Sequence, residues 1–397
     1  MIVKPCDILL PKKDADLEKY ACVACDQFTS DENYWNKVEE LVGNSPSTLR
    51  LTFPEIYLSS DNSEITDKIC ATMREYLANG FFRELKDSII YLERVQANKK
   101  VRKGIVLAID LEEYEYKKGS TSRVRATEGT IEDRLPPRVE IRKNATLELP
   151  HIMILIDDKQ NEVFSLVEKA QKTQEYSVKL MMDGGELTGY SLEKSAQDEV
   201  LKTLEAVTSR REINYAVGDG NHSLATAKKC WENLKQTLSE EEKKSHPARY
   251  ALCEIVNLYD SALEFEPIHR ILFNVDEDEL LQAFTQSKSG HSFEFLSGGK
   301  VKTITIPATH ELCVGSCQTV LDEFLKNHPN ARIDYVHEAD RVAELSCQDD
   351  VCGILLPAME KTSLFDAVEK FGSLPRKTFS MGEGKDKRYY FEARKIL

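Results

Sequence analysis

No apolar run in the 397 residues approaches the length of a membrane span. The start, Met-Ile-Val-Lys-Pro-Cys-Asp, lacks the charged opening and long apolar region of a signal peptide, so a cytoplasmic location and no membrane partner are expected. Low-complexity tracts and internal repeats are missing as well, which leaves an ordinary folded chain. Positive charge is in deficit. Lys and Arg number 53 against 67 Asp and Glu, and the net charge of -14 repels nucleic acid and anionic membrane while leaving room for a local basic patch. The ten cysteines are too dispersed for a disulfide framework. Cys22-x-x-Cys25 is the tightest pair, Cys313/Cys317 and Cys347/Cys352 are looser, and the convergent short motifs of a structural zinc site are not formed. Reduced thiols, without zinc or haem, are expected.

What the chain does contain is a soluble globular composition, 41% hydrophobic and 30% charged. Its length exceeds what one hydrophobic core usually spans. Two domains are expected, 1–246 and 247–397, divided at His246-Pro247 after the charged helix-like stretch Glu240 to Ser245. Nothing in the residues sets the oligomeric state.

The densest polar function lies in Tyr215-Ala-Val-Gly-Asp-Gly-Asn-His-Ser-Leu-Ala-Thr-Ala-Lys228. Ile213 to Val217 reads as a buried strand and Leu224 to Trp231 as a helix. Gly218 and Gly220 bracket the turn between them, where glycine permits positive φ and close approach to a ligand. The free N–H groups opening the helix offer an anion site, and Asp219, Asn221 and His222 stand at its mouth. A carboxylate, an amide and an imidazole beside open donors suit phosphate or metal chemistry. Ordinary turn and cap chemistry for Asp219 is the competing account.

Earlier in the chain, Ala21 to Gln27 reads as a buried strand that delivers Asp26 to its end, and Ser30 is placed to cap the helix that follows. Ser63 to Leu77 reads as a helix, while Ser88 to Gln96 and Lys103 to Leu111 read as a hairpin. Gly119 to Lys143 reads as a loop because of its glycines and Pro136-Pro137. It carries Arg123, Arg125, Arg134, Arg138 and Arg142, whose planar forks form either an anion cradle or a surface lattice with the neighbouring acids. Leu147 to Asp158 reads as one apolar strand, with His151 at its start and Asp157-Asp158 at its end as a cation pair or a turn. Ser195 to Val207 is helical.

Beyond the boundary, Tyr250 to Leu258 is a strand and His269 and Arg270 follow a proline. From Asp276 onward helices and strands alternate, with strands around Val301 to Ile306, Leu312 to Val314, Ile333 to Val336 and Val351 to Leu356. This rhythm predicts an α/β second domain. Arg376, Lys377 and Ser380 collect near glycines and would close on a phosphate.

Taken together, Arg125-Ala-Thr-Glu-Gly-Thr130, Asp133-Arg-Leu-Pro-Pro-Arg138, Leu149-Pro-His151, Gly218-Asp-Gly-Asn-His-Ser223, Pro267-Ile-His-Arg270 and Leu374-Pro-Arg-Lys-Thr378 resemble the domain of unknown function 1015 family over nearly the whole chain. That family's aspartate-glycine-histidine-histidine-arginine signature matches Asp219 to Ser223 and resembles the helix opening of the ParB and sulfiredoxin superfamily. Here Asn221 replaces the first histidine and Ser223 the arginine. The resemblance implies an α+β fold, with a mixed-sheet N-terminal domain of ParB/sulfiredoxin-like type and a smaller α/β C-terminal domain. It also implies a small-molecule phosphotransferase related to free serine kinases, with ATP, ADP or pyrophosphate as donor, a small anionic or hydroxy amino acid such as serine or phosphoserine as substrate, and Mg²⁺. On this reading Asp219 holds the cation or orients the hydroxyl, and His222 is the base or a phosphate contact. Arg125, Arg134 and Arg138 clamp phosphate together with Gly218, Gly220 and Asn221, and at least two of those arginines share the cleft of Asp219 and His222. Asp26, His151, His269, Arg270, Arg376 and Lys377 are further candidates. The rival is a non-catalytic nucleotide- or phosphate-binding regulator. A third possibility is thiol or sulfinic chemistry at Cys25 beside Asp26.

Overall fold

Val101–Asp110 is buried on both sides, Ile105, Leu107 and Ile109 facing one apolar cluster and Val106 and Ala108 the other. A run of that kind must sit inside a sheet covered on both faces. The computed structural model of the chain describes residues 1–397 except Ser30, Ser59, Ser60, Lys118, Ile131, Asp133, Arg134 and Arg376. The cap assigned to Ser30 and the phosphate contacts assigned to Arg134 and Arg376 therefore lie outside the described residues.

The chain forms two compact units, Met1–Leu263 with Glu383–Leu397, and Glu264–Gly382. The division thus falls after the expected His246-Pro247, and the last residues return to the first unit. The physical reason is pairing. Tyr250–Asn257 is an interior strand of the first unit's sheet, antiparallel to Val101–Asp110 and parallel to Met153–Ile156.

Among the described residues that sheet has ten strands. Its path runs Lys172–Leu180, Gly185–Leu192, Ile90–Val95, Val101–Asp110, Tyr250–Asn257, Met153–Ile156, Tyr215–Asp219, Val124–Ala126 and Tyr114–Glu115, and Val3–Lys4 pairs with Val101–Asp110 off the path. The pairing is mixed. Tyr215–Asp219 runs antiparallel to Met153–Ile156 and parallel to Val124–Ala126. One face is covered by the helices Glu162–Lys169, Lys194–Thr208 and Asn221–Leu234, which insert Phe164, Leu204 and Trp231 into the core. The other is covered by the N-terminal segment, including Glu32–Val42 with Trp35, and by Tyr389 and Phe391 of the C-terminal return. Gly104 is needed here, because a side chain at that position would occupy the place of the Glu254 carboxylate.

Several local expectations are corrected. The predicted loop contains the strand Val124–Ala126 and the helix Leu135–Lys143. Pro136 and Pro137 occupy that helix's first turn, where the missing N–H groups have no intrahelical partner to lose. Ala21 to Gln27 is not a strand but a turn with one bridge, Val23 to Tyr389. The apolar run from Leu147 is broken into Leu147–Glu148 and Met153–Ile156, with His151 in the break. Asp158 caps a helix by accepting the amides of Glu162 and Val163, and Asp157 pairs with Arg211, so the two do not form a cation pair.

The second unit's five-stranded sheet runs Lys300–Ile306, His291–Ser297, Val351–Leu355, His269–Phe273, Arg332–Val336. Helices and strands alternate along the chain as expected, yet every one of these pairings is antiparallel. Leu312 to Val314 is not a strand, since Cys313–Asn327 is one helix packing Cys317, Leu321 and Phe324 on that sheet. Among the described residues no helix is long and apolar enough to cross a membrane.

Candidate functional site

The strand Tyr215–Asp219 ends one residue before the helix Asn221–Leu234, and Gly220 makes the corner with φ 79°. That left-handed backbone excludes most side chains, and a Cβ there would lie 3.0 Å from Ile152 Cα. Gly220, having no side chain, makes no cap hydrogen bond to this helix. Asp219 Oδ1 instead accepts the Gly220 N–H at 3.0 Å, and its Oδ2 pairs with Lys387 Nζ at 3.1 Å. Lys387 is buried, a lysine brought under the strand ends by the C-terminal return.

Two neighbouring strands complete the edge. Val124–Ala126 ends beside the same corner, where Thr127 donates its hydroxyl to the Val217 carbonyl. Met153–Ile156 begins there, its Met153 in register with Asp219, so the preceding His151 is delivered to the turn. His151 is buried, with Nδ1 2.8 Å from the Tyr390 hydroxyl and Nε2 2.9 Å from Ser223 Oγ. Asp26 Oδ2 lies 3.6 Å from Nε2, and Asp26 Oδ1 accepts from Gln27. Cys25 donates its N–H to the Tyr390 oxygen at 3.1 Å, and the Tyr390 hydroxyl donates to Cys25 Sγ at 3.2 Å. Burial, and then the Asp26 carboxylate, push the Cys25 thiol up to about 12. A protonated thiol is a poor nucleophile, which weighs against sulfur chemistry.

A buried ionic row runs behind the site. Glu254, 1% exposed, lies between Arg388, to which it is hydrogen-bonded, and Arg102 at 3.4 Å. Burial raises the Glu254 carboxyl, but Arg102 and Arg388 outweigh it and hold the group below its ordinary value. Arg388 also donates to Glu392 and to the Pro150 carbonyl, which fixes the chain just before His151.

The remaining candidates separate. Asn221, His222 and Gly218 lie on the corner and first turn with Asp219. Arg138 donates to Glu55, whose amide in turn donates to the Cys25 carbonyl at 2.8 Å, so this arginine borders the Asp26 side of the cluster. Arg125 does not join. Its Nε donates to the Ser122 carbonyl and its Nη2 to Glu212 at 2.6 Å, both toward the opposite ends of the strands. Of the three clamp arginines only Arg138 among the described residues is on the site's side, and Lys387 supplies the cation that sequence reading missed.

His269 and Arg270 belong to the second unit. His269 Nδ1 accepts the Leu356 N–H at 3.1 Å, and Arg270, fully buried, donates to the carbonyls of Ile268 and Lys377 and to Gln318. Lys377 is exposed. A cavity of about 490 Å³ in that unit, floored by Val314, Met359 and Phe371, sets Lys370 against Glu311, Glu360 and Asp366, a balance unsuited to phosphate.

Both Asp219 oxygens have partners in this geometry, the Gly220 N–H and the Lys387 ammonium, so a magnesium ion there would require Lys387 to turn away. Among the described residues no group of three or more His, Cys, Asp or Glu could hold a metal ion. Phosphate does fit: an uncapped helix start, a buried lysine and a bordering arginine are anion-binding elements.

The first unit is thus a mixed-sheet domain with its polar side chains gathered at a strand-to-helix corner. The chain belongs to the family described as proteins of unknown function (DUF1015), whose model matches residues 3–390. No curated protein matches the chain. Among solved structures it is similar to a free serine kinase in complex with AMP, at 11% identity over 74% of this chain and 92% of that chain, with a TM-score of 0.42. A conserved hypothetical protein from Pyrococcus furiosus shows 11% identity over 74% and 92%, with a TM-score of 0.38. SbnI with C-terminal truncation from Staphylococcus aureus shows 7% identity over 70% and 82%, with a TM-score of 0.38. Likeness this distant assigns no chemistry.

Proposed function

We propose that the protein is a small-molecule phosphotransferase with a hydroxyl acceptor, free serine or phosphoserine being the leading substrate and ATP, ADP or pyrophosphate the donor. The observation that carries this reading is the Asp219–Lys387 pair at the uncapped start of Asn221–Leu234. Phosphoryl transfer asks a protein mainly for charge neutralisation and alignment. The donor phosphate would sit on the first-turn amides with Lys387, flanked by Arg138 and His222. Lys387 would turn to the phosphate and leave Asp219 free to align the acceptor hydroxyl and take its proton. Over the whole reaction the donor's terminal phosphorus gains a bond to the acceptor oxygen and loses its bond to the donor's leaving phosphate. Family membership and the Gly-Asp-Gly corner support a ParB/sulfiredoxin-like type for the first unit, and the reading carries a cytoplasmic location without nucleic-acid or membrane partners.

The test is to incubate the purified protein with each donor and a set of small hydroxy acids, serine included, and to look for a new phosphorylated product by mass spectrometry. A phosphorylated product is expected. Thermal stabilisation by nucleotide with no product from any pair would replace the enzyme by a nucleotide- or phosphate-binding regulator.

A further inference from the structure

We infer that Ser223 is a hydroxyl nucleophile activated by His151 for attack on phosphorus, so that the transferred group passes through a covalent phosphoseryl intermediate; the identity of the donor rests on the phosphotransferase reading above. The hydrogen-bond directions around Tyr390 lead to this. Its hydroxyl proton goes to Cys25 Sγ, and its oxygen already accepts the Cys25 N–H. With that proton turned to sulfur, the Tyr390 oxygen, 2.8 Å from His151 Nδ1, is an acceptor for the imidazole N–H, and on this proposal the ring proton resides on Nδ1. The lone pair is then on Nε2, and the atom facing it is Ser223 Oγ at 2.9 Å. This is a nucleophile on a general base, with the base oriented by a third group. Asp26, at 3.6 Å from Nε2, is too far to hold the proton there but near enough to stabilise the imidazolium once it forms.

Ser223 also has the right location. It lies in the first turn of the helix opened by Gly220, the end of a helix dipole that favours the phosphate it attacks. In the step itself, Ser223 Oγ bonds to the donor's terminal phosphorus, the bond from that phosphorus to the leaving phosphate breaks, and the Oγ proton moves to His151 Nε2. In the second half the acceptor hydroxyl, deprotonated by Asp219, displaces Ser223, and the imidazolium returns the proton to Oγ. Asp219 releases its proton to solvent. Tyr390 acts through His151 and is a positioning residue.

A fluorophosphonate, a phosphorus electrophile that needs no nucleotide site, is the probe. The full chain is expected to be labelled at Ser223 by peptide mapping, with labelling lost in Ser223→Ala and slowed about 10²-fold or more in His151→Gln. An unlabelled Ser223 in protein with unchanged melting overturns the inference, and so does labelling of a folded His151→Gln at the wild-type rate. Should that variant fail to fold, Tyr390→Phe keeps the question open to measurement. Imidazole ¹⁵N shifts are expected to show the Nδ1–H form of His151 in the wild type and a mixed form in the variant, and an Nε2–H form in the wild type overturns the inference. A second arm separates the two claims. Rapid quench with ATP is expected to trap phosphoserine at position 223. A free hydroxy acid phosphorylated at the wild-type rate by Ser223→Ala leaves the phosphotransferase reading standing and removes this one. Fluorophosphonate labelling at Ser223 with no phosphoryl transfer from any donor does the reverse.

Discussion

Both units present a histidine and an arginine that the sequence marks as site candidates, and they use them in opposite ways. In the second unit His269 accepts a backbone amide, and Arg270 fills its fork with two carbonyls and a glutamine. In the first, His151 holds two side-chain hydroxyls and Asp219 holds a lysine. Backbone partners cannot turn away without moving the chain itself, whereas a hydroxyl or an ammonium can exchange its partner for a ligand. Arg125 is set apart by position instead, since Ser122 and Glu212 hold it toward the opposite ends of the strands. What distinguishes a binding group is less its residue type than whether its partners are replaceable.

The sharpest break of that comparison is Asp219→Asn. The amide still accepts the Gly220 N–H and keeps the turn, but it neither takes a proton nor attracts Lys387 as a charge. Turnover should fall about 10²–10⁴-fold with little change in nucleotide affinity, and the melting temperature should fall as well because the buried Lys387 loses its carboxylate partner. An equal loss in affinity and turnover would make Asp219 a binding residue only. The next effect is on stability. Removing charge from the buried row by Glu254→Gln leaves Arg102 and Arg388 facing each other without their carboxylate, and unfolding in denaturant should show a loss of about 3–5 kcal/mol. A loss below about 1 kcal/mol would mean that water reaches the row.

A third variant pair divides the arginines. Arg138→Ala should weaken phosphate or nucleotide binding by about tenfold to a hundredfold, the worth of a charge-assisted bond, and Arg125→Ala should leave it unchanged. Titration calorimetry reads both, and the reverse order would return Arg125 to the site.

The legible part of this protein is local. The hairpin of Ile90–Val95 and Val101–Asp110, the helices Ser63–Ala78, Lys194–Thr208 and Glu240–Ser245, and the Gly-Asp-Gly corner follow from periodicity and turn chemistry within a few residues. Lys387, Arg388 and Tyr390 were not legible, because they reach the corner only through the return of Glu383–Leu397 to the first unit. Their sole local signal was a run of charges and aromatics, Lys385-Asp-Lys-Arg-Tyr-Tyr-Phe391, at an end of the chain. The arginine cluster failed for a different reason, since a guanidinium fork suits Glu212 as well as it suits phosphate. Pro136-Pro137 argued for a loop only because the pattern did not say where the helix began.

The smallest expected effect concerns pH and the second unit alone. Burial, and then the neighbouring Arg270, hold the His269 imidazole below its ordinary value of 6.5. In the folded unit the ring is neutral because its Nδ1 must accept the Leu356 N–H. The unfolded chain titrates near the ordinary value, so between the folded and the ordinary pKa it binds more protons than the native unit does. The stability this histidine contributes is therefore fully present above 6.5 and is lost as the pH falls from 6.5 through the folded value. His269→Gln offers an amide oxygen to the same N–H and cannot titrate, so the fall should be shallower in the variant than in the wild type. Hydrogen exchange of the amides in His269–Phe273, compared between the two proteins at matched pH above and below 6.5, reads the difference. Parallel curves would show that His269 is protonated without cost in the fold, and that its bond to Leu356 is as replaceable as those of His151.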